Sequence, residues 1–209
     1  MKTAKKPAYN LAVVILAAGR SGRMGQPKLL LPWGETTILG HQVRTWQQLR
    51  ASPIGVVCAA GDEAIQAELD RLRFPQAHRI LNPQPERGMF SSIRCAAQWS
   101  GWTPGLTHWA ISLGDQPHVR LETLRALLAF SANHTAQVCQ PRVVGHVRHP
   151  VILPKGIFQQ LSQTSRPTLK EFLQAILENV VHCDVDDPGL EFDIDTPADY
   201  ERARALCFP

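Results

Sequence analysis

Two rhythms of apolar residues alternate along this chain. Residues 11–17, Leu-Ala-Val-Val-Ile-Leu-Ala, form a continuous apolar run rich in β-branched side chains. That is the pattern of a strand buried on both faces. Thr37 then stands in capping position before a stripe of Leu39, Val43, Trp46 and Leu49 at helical spacing. Ile54–Ala59 reads as a second strand, and Asp62 caps a helix carrying Ile65, Leu69 and Leu72 on one face. A short third strand is predicted over 79–81, with Ser91 or Ser92 opening a helix that runs to Trp99. The apolar run 109–113 is a fourth buried strand, followed by a helix over Leu121, Leu124, Leu127 and Leu128. Short strands at 138–139, 151–153 and 180–185 alternate with helices over 156–161 and 168–178. Thr196-Pro-Ala-Asp199 has the form of a capping box with Pro at the first helical position.

Strand–helix alternation on this scale predicts an α/β fold: a mostly parallel, doubly wound sheet with helices on both faces. No internal repeat, low-complexity stretch or linker divides the 209 residues. The expectation is one domain spanning 1–209, with residues 1–9 as a flexible tail. Lys2, Lys5 and Lys6 before the apolar run superficially resemble a secretory signal, but the run is short and flows straight into a glycine-rich loop. With no stretch near the ~20 apolar residues of a membrane helix, a cytoplasmic protein without a membrane partner is expected.

Composition adds two exclusions. Twenty-two Lys+Arg against 18 Asp+Glu leave +4, which suits small anions but is too weak to argue for nucleic acid. The five cysteines, at 58, 95, 139, 183 and 207, lack zinc spacing and read as free thiols.

Candidate chemistry begins after the first strand, since ligands of parallel sheets sit beyond the carboxyl ends of the strands. The segment there is Leu16-Ala-Ala-Gly-Arg-Ser-Gly-Arg-Met-Gly-Gln-Pro-Lys-Leu-Leu-Leu-Pro32. Its glycines at 19, 22 and 25 match neither GxGxxG nor GxxxxGK[ST]. They still let backbone N–H groups approach an anion, and Arg20, Arg23 and Lys28 add positive charge. A second feature is Asp115, in Gly-Asp-Gln-Pro117 after the fourth strand, where a carboxylate suits Mg2+ or simply starts a turn. A third is Phe192-Asp-Ile-Asp-Thr-Pro-Ala-Asp-Tyr200, in which alternation puts Asp193 and Asp195 on one face and Ile194 on the other. Asp199 is taken by helix capping.

The stretch 16–32 resembles the LAAGxSxRMGxxKxLLP signature of the MobA-like nucleoside triphosphate transferases, with every fixed position filled. It is most similar to the molybdenum cofactor cytidylyltransferase branch. The resemblance implies a Rossmann-like nucleotidyltransferase fold and a loop (Leu16, Ala17, Ala18, Gly19, Arg20, Ser21 and Gly22) that wraps the triphosphate. It makes Arg23 and Lys28 the catalytic cations. Ala18, where guanylyl-transferring members usually carry Gly, points to CTP. By the same resemblance Asp115 and Asp195 hold Mg2+, Asp115 being counted with the catalytic residues and Asp193 a less favoured substitute. The segment 82–93 is similar to an NxxxxxGMxxS[LI] element that contacts base and ribose, which implicates Asn82, Gly88 and Ser92.

The implied reaction moves a cytidylyl group from CTP to the terminal phosphate of molybdopterin. Transient contact with a molybdenum hydroxylase or its insertion chaperone is implied as well. On the acceptor side the match weakens. Arg148-His149-Pro150 has Arg where the family often has Gly, and Ser165-Arg-Pro-Thr-Leu-Lys170 replaces a GDxGAR-like stretch. Arg142, Arg148, Arg166 and Lys170 remain candidates for gripping an acceptor phosphate, and Trp102 for stacking on a ring. Other readings stay open: a transferase using GTP or a sugar or polyol phosphate, a non-catalytic pterin carrier or insertion chaperone, and a nicotinamide or flavin reductase reusing the fold.

Overall fold

The computed structural model describes residues 9–19 and 21–208. Arg20 and the first eight residues of the expected tail therefore lie outside the described residues. Tyr9, assigned to that tail, is instead held in place: its hydroxyl donates to Ser131 Oγ at 3.0 Å and its ring lies 4.4 Å from that of His108.

The chain opens with strand β1 (Leu11–Leu16), then a small antiparallel ribbon of β2 (Pro32–Trp33) and β3 (Thr36–Thr37), then helix α1 (Ile38–Gln48). Strand β4 (Ile54–Ala59), helix α2 (Glu63–Arg71), strand β5 (Arg79–Asn82) and helix α3 (Met89–Gln98) follow. Next come β6 (His108–Leu113), α4 (Leu121–Asn133), β7 (Val138–Val143), the short β8 (His146–Val147) and β9 (Val151–Pro154). Helices α5 (Lys155–Gln160) and α6 (Leu169–Gln174), strand β10 (Val180–Asp184) and helix α7 (Pro197–Cys207) complete the order.

The main sheet runs β10-β7-β9-β6-β1-β4-β5, with β8 paired to β7. Strands β6, β1, β4 and β5 are mutually parallel, as are β10 and β7. Only β9 in that path is reversed, antiparallel to β6 and to β7. The sheet is mostly parallel, as expected, and is made mixed by β9 and β8.

Alternation along β1 explains the two layers of helices. Val13, Ile15 and Ala17 pack on one side with Leu39, Val43 and Trp46 of α1, Leu69 of α2, Leu127 of α4 and Ala203 of α7. Ala12, Val14 and Leu16 pack on the other with Phe90 and Ile93 of α3, Phe158 of α5 and Phe172 of α6. Each Val, Leu, Ile or Phe side chain so buried contributes ~1.5–3 kcal/mol.

The predicted caps at Thr37, Asp62 and Thr196 are formed: Thr37 accepts from Gly40 N, Asp62 from Ile65 N, and Thr196 and Asp199 close a capping box. Four local expectations need correction. Helix α3 starts at Met89 behind Gly88, not at a serine cap; Gly88 takes φ 86°, a value that favours glycine. The helix predicted over 168–178 stops at Gln174 and leaves a separate turn at Leu177–Asn179. Strand β7 continues through Pro141 to Val143, beyond the predicted 138–139. Pro141 sits where β7 changes partner from β9 to β8, and its carbonyl accepts from Arg148 N at 2.9 Å. Residues 193–195 lie in no strand, though Ile194 is buried as the alternation required.

Candidate active site

The order of crossovers places a switch point at β1. The chain moves from β1 to β4 and β5 on one side and returns to β6 on the other, so the carboxyl ends of β1 and β6 diverge side by side. Gly114 makes that junction tight, because a Cβ there would come within 2.6 Å of the Leu16 carbonyl. Gly114 N donates to the same carbonyl at 3.1 Å, which fixes where Asp115 leaves the sheet.

The loop after β1 folds back on itself. Ser21 Oγ accepts from Lys28 N at 2.9 Å, and Met24, buried in the core, anchors the intervening turn. Gly25 closes that turn at φ 70°. Beside Gly19, Gly22 and Gly25 the space that a Cβ would fill is open, so a ligand can approach the backbone closely.

Lys28 is almost fully buried and points across the switch point. Its Nζ donates to Asp115 Oδ2 at 2.5 Å and to Asp195 Oδ1 at 2.9 Å, while Arg23 Nη2 donates to Asp195 Oδ2 at 2.6 Å. Burial pulls the Lys28 ammonium down, but the Asp115 and Asp195 charges and hydrogen bonds outweigh it and leave its pKa raised. Burial pushes Asp195 up, and the opposing hydrogen bonds and charges of Lys28 and Arg23 hold it below its ordinary value.

Asp195 reaches the site because the C-terminal segment is pinned to the loop after β6. Ile194 N donates to the Asp115 carbonyl at 3.1 Å, Gln116 Nε2 donates to Asp193 Oδ1 at 2.8 Å, and His118 Nε2 lies 3.1 Å from the Phe192 carbonyl. Gln116 escaped the sequence reading although it is the middle residue of the Asp-Gln-Pro motif; its amide occupies Asp193. Burial, with the Asp115 and Asp195 charges, raises the Asp193 pKa.

Four of the sequence candidates, Arg23, Lys28, Asp115 and Asp195, are thus brought into one hydrogen-bonded cluster, with Ser21 joined through the Lys28 backbone. Leu16, Ala17 and Ala18 lie buried at the end of β1, and Gly19 and Gly22 are exposed in the loop. Asn82, Gly88 and Ser92 lie elsewhere on the rim, where β5 ends and α3 begins. Asn82, 1% exposed, donates to Ser91 Oγ and Ser92 Oγ and accepts from Gln84 N. It organises the loop that presents Gly88.

Two acceptor-side candidates are placed differently from expectation. Arg142 is tied to Asp184 by two hydrogen bonds. Trp102 packs among Trp99, Trp109 and Phe158 and donates to the Ala96 carbonyl. It also crowds Gly55 near the start of β4, the end of the sheet away from the site.

Asp115 and Asp195 are the residues that could hold a metal. Both offer hard carboxylate oxygens, both reach the same cationic point, and few protein ligands suit a hydrated Mg2+. No cluster of three or more His, Cys, Asp or Glu with metal-binding geometry occurs among the described residues. Nor is any described helix long and apolar enough to cross a membrane.

Residues 13–182 match the model of the MobA-like NTP transferase domain. The chain is 26% identical to the molybdenum cofactor cytidylyltransferase of Escherichia coli K12 over 91% of its own length and 94% of that protein. It is 36% identical to the bifunctional protein GlmU of Alkalilimnicola ehrlichii, but spans only 25% of that protein's length. Among solved structures, Rv0371c of Mycobacterium tuberculosis H37Rv superposes with TM-score 0.73 at 25% identity, over 92% of this chain and 97% of that one. The same protein has been crystallised in complex with manganese, and that structure superposes with TM-score 0.67 over 94% of this chain and 98% of that one. A nucleotidyl transferase of Methanothermobacter shares the fold, with TM-score 0.76 at 20% identity over 95% of this chain and 97% of that one. The chain belongs to the MobA-like NTP transferase family and is an enzyme of the nucleotidyltransferase class.

Proposed function

We propose that the protein transfers a cytidylyl group from CTP to the terminal phosphate of molybdopterin. A phosphate oxygen of the acceptor attacks the α-phosphorus in line, the bond to the β-phosphate bridging oxygen breaks, and pyrophosphate leaves. The observation that carries this reading is the meeting of Lys28 with Asp115 and Asp195 at the mouth of the glycine loop. The similarity to the E. coli cytidylyltransferase over most of both chains supports the choice of CTP and pterin.

Each residue has a distinct task. The open glycine loop receives the triphosphate against backbone N–H groups. Lys28 and Arg23, now neutralised by carboxylates, supply positive charge to the phosphates as negative charge develops. Asp115 and Asp195 fit a divalent cation, Mg2+ in this reading, which when bound offsets charge on the triphosphate oxygens. The attacking phosphate is already anionic, so the protein need not remove a proton.

Pyrophosphate release, measured with Mg2+, molybdopterin and each labelled NTP in turn, tests the proposal. Release with CTP well above the other nucleotides is expected, and Asp115→Asn should lower kcat by about a hundredfold or more, the scale of losing a transition-state charge partner. Preference for GTP would remove the argument from Ala18. Absence of pyrophosphate with every NTP would favour a carrier, which has no use for the Lys28–carboxylate cluster.

A further inference from the structure

Next to the Lys28 cluster, two side chains carry polar atoms that the fold encloses and leaves unmatched. Arg148 Nε and His149 Nε2 are both buried, and neither meets a hydrogen-bond partner among the described residues. Enclosing a donor without a partner is unfavourable, so such atoms call for an explanation. Arg148 forms no ion pair among the described residues, in contrast to Arg142 earlier on the same hairpin. Its Nη1 contacts only the Val147 carbonyl, at 3.3 Å, while its backbone N donates to the Pro141 carbonyl and fixes the chain.

Register places these residues beside the reacting end of β6. Ile111 pairs with Val151 in the antiparallel β6–β9 ladder, so the segment entering β9 runs alongside the one leaving β6 toward Asp115. Pro150 lines a small cavity together with Ser112 and Gln116. Burial pushes His149 down to about 4 against the nearby Asp115 charge, so the ring is neutral and keeps one N–H to donate.

We infer that Arg148 and His149 form the anion subsite for the acceptor, taking the phosphate of a phosphate monoester. The guanidinium would donate two N–H groups to phosphate oxygens and the imidazole a third, which supplies the partners the fold omits. The inference rests on the proposed transfer reaction, and it separates the two substrates: the triphosphate lies against the glycine loop, the acceptor against the β8–β9 corner.

The test compares KM for CTP with KM for molybdopterin in the pyrophosphate assay. Arg148→Ala should raise the acceptor KM by about tenfold or more, the scale of a lost charge-assisted hydrogen bond, and leave the CTP KM within about twofold. Arg148→Lys should recover part of the loss, and His149→Gln, which keeps a donor, should bind acceptor better than His149→Phe. An unchanged acceptor KM in Arg148→Ala, or equal changes in both KM values, would overturn the inference while leaving the transfer reaction standing. If the wild type releases no pyrophosphate, phenyl phosphate binding followed by NMR titration decides instead. Binding to wild type that is lost in Arg148→Ala supports the subsite; no binding, or equal binding by both, overturns it.

Discussion

At Lys28, burial favours the neutral amine while two carboxylates favour the ammonium, and the carboxylates prevail. The reciprocal effect on Asp195 has a pH signature. Its folded-state pKa lies below the ordinary 3.8, so the stability it contributes is present above about pH 3.8 and disappears as pH falls through the lower folded value. Lys28 contributes below 10.5 and loses its contribution as pH rises past its raised value. Asp193 has the opposite sign to Asp195: raised by burial and by two carboxylates, it disfavours the fold when ionised and is relieved by acid. Thermal melts of wild type and Asp195→Asn from about pH 2 to 7 should therefore differ most above pH 3.8 and converge below it. Because Asp195 is a third exposed, the difference should stay under about 1 kcal/mol. A gap constant across that range would contradict the pairing. The individual carboxylates and cations were visible in the sequence, as were their motifs. What was not visible is that a lysine within the glycine-rich loop bridges two aspartates from distant segments, a contact that only the sheet order creates.

Among the elements, α4 shows how a distant segment can complete a helix. Arg120 precedes it without a side-chain cap, and that job falls to Asp187, fully buried between β10 and α7. Asp187 Oδ2 accepts from Arg120 N and Thr123 Oγ1, and Oδ1 accepts from Gly189 N. Asp187→Ala would strand these donors, and a loss of about 3 kcal/mol is expected in urea denaturation. Asp187→Asn, which keeps one carbonyl oxygen, should lose less. This cap could not be read locally, because its partners are separated by most of the second half of the chain. Where the cap lies within its own turn, as at Thr37, Asp62 and Thr196, the sequence located the helix start. Where strand polarity was mixed, as over Gln140, Pro141 and Arg142, periodicity underestimated the strand. The two-residue strands of the β2–β3 ribbon and β8 are too short to carry a period and went unseen.

For the molecule as a whole, the C-terminal segment both fills the core and builds the site. Leu190, Ile194 and Ala203 are fully buried, and Tyr200 donates to the Pro32 carbonyl at 2.6 Å, at the end of the glycine-rich loop. Truncation after Asp187 should cost more than the 2–5 kcal/mol typical of emptying one large core position. Against a total stability of about 5–15 kcal/mol, the shortened chain should be readily digested in limited proteolysis; resistance equal to wild type would show that the segment is dispensable. The alternation of strands and helices made the layered architecture legible from sequence, since each buried strand reads as a run. The reversal of β9 was not legible, because direction is set by crossover geometry and leaves no mark on a four-residue apolar run. That reversal makes the corner at residues 148–150 an entrance to a strand, whereas the glycine loop and Asp115 follow strand exits. Under the proposed assignment of substrates, the two halves of the rim vary independently: substitutions in the hairpin before Val151 reshape what is accepted while the Ile111–Val151 register and the glycine-rich loop stay unchanged. If that assignment holds in the KM test, a designer seeking a new acceptor would mutate residues 144–149 and leave 16–32 untouched.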